Sequence, residues 1–404
     1  MNRILFVDDE RAALDGLRHT LAPYRDLWDM AFAVSGPEAL ALLDRAPFDV
    51  VVTDMRMPEM DGTQLLEQVR SRCPSAVRIV LSESSERDVA LRAASVAHQF
   101  LAKPCDPAQL REIVEHSGGL ARQFPDAALR RVVGAIGKLP SLPRTSTMLL
   151  EAMDNQTASL DAIGAIVEQD VGMAAKVLQL VNSAFFGLSN RIASVRAAVG
   201  YLGLDTLRQL VLSVEVFRTF HPGQSIGRFS IEALHTHSRL TARIAGSLPG
   251  SKETSASAVV AALLHDCGKL VLASRLRKEF AQALQTSQMQ GEPLFHTEER
   301  QFGVSHAEVG GHLLGLWGLP QPIIDGVWRH HHPVADSQPG SGLDIPAIVH
   351  ISDALACEVA HAWDAPPESH SLLNTEYVAH LGVEQQIPDW REMARETYLQ
   401  LTEN

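Results

Sequence analysis

The 404 residues include four cysteines, Cys73, Cys105, Cys267 and Cys357, with no close paired spacing. That fits reduced thiols better than a disulfide scaffold or a cysteine-based zinc site. Cationic excess is missing too. A net charge of -13 and a pI near 5.7 argue against broad attraction to DNA, RNA or an anionic membrane. Arg130, Arg131 and the arginines scattered from 191 to 208 read as solvated helix surface rather than a nucleic-acid footprint. No apolar run reads as long enough to span a bilayer, and no charged leader precedes an apolar segment, so no membrane role is expected and the cytoplasm is the expected address. There is no P-loop, no dinucleotide fingerprint and no Gly/Ser-rich arm. Trp317, Trp328, Trp363 and Trp390 are assigned to packing rather than base stacking.

What is present begins with acids at strand ends. Asp8 and Asp9 follow the apolar run Ile4-Leu5-Phe6-Val7, and Asp54 follows Val50-Val51-Val52-Thr53. A hard cation such as Mg²⁺ takes oxygen ligands from a few carboxylates and completes its octahedron with water and phosphate oxygens. It would neutralise charge on a phosphoryl group under attack by a carboxylate. Asp54 is therefore the candidate phosphoacceptor, with Asp8, Asp9 and Asp54 as candidate Mg²⁺ ligands. Two more runs fit: Val77 to Leu81 ends at Ser82, whose hydroxyl can bond a phosphoryl oxygen, and Gln99 to Ala102 ends at Lys103, whose ammonium can pair with one. Helix-like stretches at about 10–22, 37–46, 63–72, 86–96 and 106–118 separate the runs, and a βα repeat of this kind predicts a parallel sheet with its ligands beyond the strands' carboxyl ends. Taken alone, two acids after a strand also fit surface charge or a helix cap.

Together with Met57-Pro58-Glu59-Met60-Asp61-Gly62, these residues make positions 1–120 resemble the receiver domain of two-component response regulators. The resemblance implies an α/β fold with a doubly wound, five-stranded parallel sheet. It also implies phosphotransfer to Asp54 from a sensor histidine kinase, with Ser82 and Phe100 changing disposition afterwards.

About 280 residues remain, enough for a second sizeable core. Gly118-Gly119 is expected to end the receiver's last helix, and residues 121–138 to form a helical connector that could pair subunits in a homodimer. From Leu139-Pro140-Ser141-Leu142-Pro143 onward, helical patterns follow at 144–153, 159–168, 171–182, 346–362, 374–382 and 389–401, with an interruption at 364–369. Asn182 is read as a local helix-end bond. This order, through Gln169-Asp170, Val181-Asn182-Ser183-Ala184 and Phe185-Phe186-Gly187, resembles the HDOD family, an all-α output domain related to HD-type phosphohydrolases; residues 139–404 are expected to be that domain with its C-terminal helices.

The chemically richest stretch is Leu263-Leu264-His265-Asp266-Cys267-Gly268-Lys269. Adjacent His and Asp place nitrogen and oxygen donors together, and Asp266 could bridge two cations, although an isolated His-Asp pair reads at least as well as a hydrogen-bonded structural pair. His237 precedes the pair; His306, His330, His331 and Asp353 follow. This series resembles the ligand order of HD phosphohydrolases. The resemblance implies a one-metal set of His237, His265, Asp266 and Asp353, a second position completed by His306, His330 and His331, and Lys269 as a phosphate contact. The metal would be a divalent transition ion: Fe, Mn, Zn or Ni. His235, His296, His312, His332 and His350 are not assigned as primary ligands. No Gly-Tyr-Pro follows the paired histidines, and Ala233 stands where an extra acidic ligand could have been, so a third metal and cyclic-dinucleotide chemistry are disfavoured. HDOD domains are generally regarded as protein-interaction modules. The expectation is thus a response regulator that docks a downstream signalling protein, with a receiver-controlled, metal-dependent phosphohydrolase as the alternative, a cyclic-dinucleotide phosphodiesterase being its disfavoured form.

Overall fold

The structure, a computed structural model, describes residues 2–82, 93–123, 132–136, 139–141, 143–154, 159–183, 191–212, 218–219, 226, 229–334, 342–360 and 372–402. The first part is β1 (Asn2–Val7), α1 (Arg11–Thr20), β2 (Trp28–Ala33), α2 (Gly36–Arg45), β3 (Val50–Asp54), α3 (Gly62–Arg72), β4 (Val77–Ser82), β5 (Gln99–Ala102) and α4 (Pro107–Gln123). All five strands are parallel, in the order β2-β1-β3-β4-β5, which is the expected doubly wound sheet. Ile4 to Val7 and Val50 to Val52 are continuous apolar runs because helices cover both faces of the central strands. The register pairs Val7 with Thr53, Asp54 with Leu81 and Ser82 with Ala102, so the functional strand ends share one edge.

Two local expectations are corrected. Helix α4 does not stop at Gly118-Gly119 but continues to Gln123; glycine weakens a helix without obliging it to end. One continuous stretch, Thr254–Arg275, is in fact long and apolar enough to cross a membrane by length and composition. Most of it is buried in the fold and it carries His265, Asp266 and Lys269, which makes it a core element. Most of the helix expected at 86–96, most of the connector expected at 121–138 and the interruption at 364–369 lie outside the described residues.

The second part is helical: α5 (Pro143–Asp154), α6 (Leu160–Val167), α7 (Val171–Val181), α8 (Val195–Leu202), α9 (Leu204–Leu212), α10 (Ile231–Ser247), α11 (Lys252–Leu264), α12 (Cys267–Arg275), α13 (Arg277–Gln290), α14 (Leu294–Phe302), α15 (His306–Leu316), α16 (Gln321–Arg329), α17 (Ile345–Ala360), α18 (Thr375–Leu381) and α19 (Ile387–Thr402). Its one strand pair is the short β6 (Pro140–Ser141) with β7 (Arg218–Thr219), among the described residues. Ser159, Asp170, Ser194, Ser230 and Ser251 each accept a backbone N–H of the first turn that follows, which sets where α6, α7, α8, α10 and α11 begin. Asn182 bonds Leu178 O and Ile192 N at the end of α7, the local helix-end role expected of it.

The two parts meet through polar contacts, from the buried Gln179 to the exposed Arg191–Glu112 pair. Gln179 Nε2 donates to His98 O at 2.9 Å, and Gln99 Nε2 donates to Leu316 O at 3.2 Å. Arg191 donates to Gly318 O (2.9 Å) and Leu319 O (3.1 Å) and pairs with Glu112 of α4 at 2.7 Å. Inside the receiver, the buried Arg78 guanidinium lies 2.7 Å from His98 Nε2 and donates to Gly134 O at 2.8 Å, tying the chain after α4 to the sheet.

Candidate metal centre

At the receiver edge, Lys103 Nζ lies 2.8 Å from Asp8 Oδ2 and 2.5 Å from Asp54 Oδ1. Burial pushes the Asp54 carboxyl above its ordinary value despite the opposing Lys103 bond. For Lys103, burial works downward, but hydrogen bonds to Asp54 and Asp8 prevail and raise it. A β-carbon on Gly62 would sit 2.3 Å from Asp54 O, so glycine at the head of α3 is what allows that helix to abut the strand end. Asp9 is exposed at the same edge and Phe100 is buried in β5. The Ser82 side chain lies outside the described residues.

The second constellation lies in the helical part, where seven separated side chains converge. His237 comes from α10, His265 from the end of α11, Asp266 from the head of α12, His306 from the first position of α15, His330 and His331 from the end of α16, and Asp353 from α17. His237 Nε2 is 2.9 Å from Asp353 Oδ1 and 3.2 Å from His265 Nε2, and His265 Nε2 is 3.4 Å from Asp353 Oδ1. On the other side, His306 Nε2 is 2.9 Å from His331 Nε2. Asp266 joins the halves: Oδ2 is 3.5 Å from His265 Nε2, and Oδ1 is 3.2 Å from His306 Nε2. The donor atoms form three overlapping groups, His237/His265/Asp353, His265/Asp266/His330 and His306/His330/His331, each with its atoms within 4.8 Å of one another.

These residues fit divalent cations. Donors about 2.0–2.1 Å from one ion stand about 2.9–3.4 Å apart, the spacing found here. His265 Nδ1 and His330 Nδ1 are held by the carbonyls of Ala262 (2.6 Å) and Val327 (2.7 Å), leaving Nε2 as the ligand atom. Buried His330 Nε2 has no hydrogen-bond partner, and Asp266 Oδ1, although close to His306, is not aligned for a bond. Such orphaned donors are costly unless something satisfies them.

The two carboxylates and two of the histidines are held in the charge states that ligation needs. Burial opposes ionisation of Asp266 and Asp353, yet His265, with Lys269 also acting on Asp266, holds both carboxyls well below the usual range. Burial and neighbouring histidines push His330 and His331 well below 6.5, which keeps them neutral. His306 goes the other way: burial lowers it, but Glu298 and Asp266 bring it up to about 9. Lys269 Nζ is buried and bonded to Asp266 Oδ2 at 2.9 Å.

The remaining histidines serve packing or the rim. His235 Nδ1 bonds Val171 N, and His350 holds His330 O and Asn374 N. His312 is buried in α15. His296 and His332 are exposed, His332 bonding Glu299. Two residues of α14 were not singled out from the sequence: buried Glu298, bonded to His306, and Phe295, stacked on His331.

Two family models match the chain. The response regulator receiver domain matches residues 4–115, and the HDOD domain matches residues 139–333. An uncharacterized protein of Treponema pallidum is 26% identical over 201 residues, covering 50% of this chain and 39% of that protein. The hydrogenase transcriptional regulatory protein HoxA of Cupriavidus necator is 35% identical over 159 residues, covering 38% of this chain and 30% of its own length. The chain thus spans well under half of these relatives. Among solved structures, the MmoQ response regulator of Methylococcus capsulatus is 22% identical with a TM-score of 0.49, covering 63% of this chain and 98% of that one. An HDOD domain protein of Geobacter sulfurreducens is 23% identical with a TM-score of 0.36, covering 72% and 99%. By these two family matches the chain carries an N-terminal response regulator receiver domain and a C-terminal HDOD domain.

Proposed function

We propose that the protein is a receiver-controlled, metal-dependent phosphohydrolase. The observation that carries this reading is the convergence of two donor sets on the one carboxylate of Asp266, with its oxygens turned to His265 and His306. His237, His265, Asp266 and Asp353 would hold one cation, and His306, His330 and His331, with Asp266, a second. The chemistry that divalent cations supply at such a site is Lewis acidity toward a phosphoryl oxygen and a lowered pKa for an attacking water. Asp266 would be shared between the two positions. Lys269 holds that carboxylate in place, and its ammonium would be an electrostatic contact for a substrate phosphate. The substrate class is a phosphoester; with no Gly-Tyr-Pro after His331, a cyclic dinucleotide is not assigned.

Control would start at Asp54, phosphorylated by a sensor histidine kinase in the cytoplasm with Mg²⁺ on Asp8, Asp9 and Asp54, and with Ser82, Phe100 and Lys103 responding to the phosphoryl group. Helix α15 offers the route onward. Its first residue is His306, and the carbonyl of its last, Leu316, is bonded by Gln99 of β5. A shift of β5 and α4 moves the far end of a rigid helix whose near end is a ligand.

A second reading is an HDOD interaction output that docks a downstream signalling protein. It is favoured by Leu160, Tyr201 and Leu204, large apolar side chains exposed on the adjoining helices α6, α8 and α9. Metal content decides between the readings. Protein purified without chelator should carry near-stoichiometric transition metal that is lost in His265→Ala and Asp266→Ala. A wild-type chain that stays metal-free after supplementation would leave only the docking reading.

A further inference from the structure

We propose that Glu298 is a positioning residue that fixes His306 and thereby builds the second donor set; the inference rests on the metal-site reading above. Glu298 is fully buried in α14, where a carboxylate is retained only if its bonds repay its desolvation. Both bonds go to one residue: Oε2 accepts the His306 backbone N–H at 2.8 Å and its Nδ1–H at 2.6 Å.

The reason lies in where His306 stands on its helix. His265 and His330 close helices, so the carbonyl three residues back, Ala262 O or Val327 O, is at hand to orient the ring. His306 opens α15, where the backbone presents unsatisfied N–H groups and no preceding helical carbonyl. An acceptor must come from another element, and α14 supplies it. The same contact caps the N-terminal N–H of His306, so ring and backbone are fixed together and Nε2 is delivered to Asp266 and His331. One turn earlier, Phe295 stacks on His331 with centroids 4.2 Å apart and planes at 14°. Helix α14 therefore supports two of the three donors His306, His330 and His331, and neither contact touches His237, His265 or Asp353.

The test uses the full chain titrated with Mn²⁺, with bound metal counted directly. Wild type should take two ions. Glu298→Ala should take one, at unchanged affinity for that ion. Glu298→Gln keeps an acceptor of the same shape, so it should fold normally, keep both positions and bind the weaker ion about 10- to 100-fold less tightly. A second readout needs no metal: the Nδ1–H proton of His306 should appear in the NMR spectrum as a downfield, exchange-protected signal, assigned by its loss in His306→Gln, and should vanish in Glu298→Ala. If that signal behaves as stated while wild type binds no ion, the positioning stands and the hydrolase reading falls. Two ions bound by Glu298→Gln with wild-type affinity, or a His306 signal indifferent to Glu298, would overturn the proposal.

Discussion

Asp266 reaches His306 across the crossing of α12 and α15, 3.2 Å from Oδ1 to Nε2, because Gly268 lets the two backbones touch. A β-carbon on Gly268 would stand 1.9 Å from His306 O and 2.8 Å from Gly310 N. These are main-chain atoms that no rotamer change can move.

Gly268→Ala is accordingly predicted to force the helices apart and to cost at least about 2 kcal/mol, at the severe end of overpacking. Urea denaturation should show the lost stability, and metal titration should show that the bridge across the crossing is broken. A variant as stable as wild type with unaltered metal content would contradict the crossing geometry.

Metal binding should be coupled to proton release. Without a cation, His306 holds its proton up to about pH 9 because Glu298 and Asp266 outweigh the burial that opposes it. A cation must displace that proton. Apparent affinity should therefore fall as pH drops below about 9, by about tenfold per pH unit for each proton displaced. Isothermal titration in buffers of different ionisation enthalpy counts the protons; a release of zero at pH 7 would exclude His306 as a ligand.

The receiver junction should weaken in acid. Burial first, then the nearby Arg78, pushes His98 well below 6.5, and burial pushes Arg78 itself down to about 9. Because the folded-state value of His98 is depressed, the unfolded chain binds a proton that the folded chain refuses. Stability is therefore full above pH 6.5 and is lost progressively as pH falls below it. His98→Asn, which cannot titrate, should flatten that slope in denaturation curves taken between pH 7 and pH 5, whereas an unchanged slope would assign the acid loss to other groups.

Arg191 should transmit the receiver's state. It links Glu112 of α4 to the carbonyls of Gly318 and Leu319 just past α15. Wild type treated with beryllofluoride, a mimic of phosphorylated Asp54, should change its metal affinity by about 5- to 150-fold, the usual range of coupling between sites. Arg191→Ala should bring that ratio close to unity while leaving the untreated protein's affinity in place. A full response in the variant would place the route elsewhere.

The receiver was legible in the sequence because its central strands are apolar runs that stop at acids, serine and lysine, a pattern that both burial and phosphate chemistry impose. Strand β2 was not read from its own residues: it lies at the sheet edge, carries Asp29 and is only partly covered. The candidate HD-type ligands were legible as an ordered series, but not their convergence, which depends on helix crossings such as that at Gly268. Glu298 was hidden in Thr297-Glu298-Glu299-Arg300, which reads as an ordinary charged helix surface; only the packing of α14 on His306 sets it apart from its exposed neighbour Arg300. Arg78 was hidden the opposite way, inside an apolar strand, its partners being carbonyls and a histidine distant in sequence.

The most direct measurement is hydrolysis of bis(p-nitrophenyl) phosphate by the full chain loaded with Mn²⁺, beside Asp266→Ala loaded identically. Turnover that requires the metal, responds to beryllofluoride and falls at least about 100-fold in the variant is the predicted result, a loss of about 2.7 kcal/mol of transition-state stabilisation. Loaded wild type that holds its metal and yet hydrolyses no faster than Asp266→Ala would contradict the account.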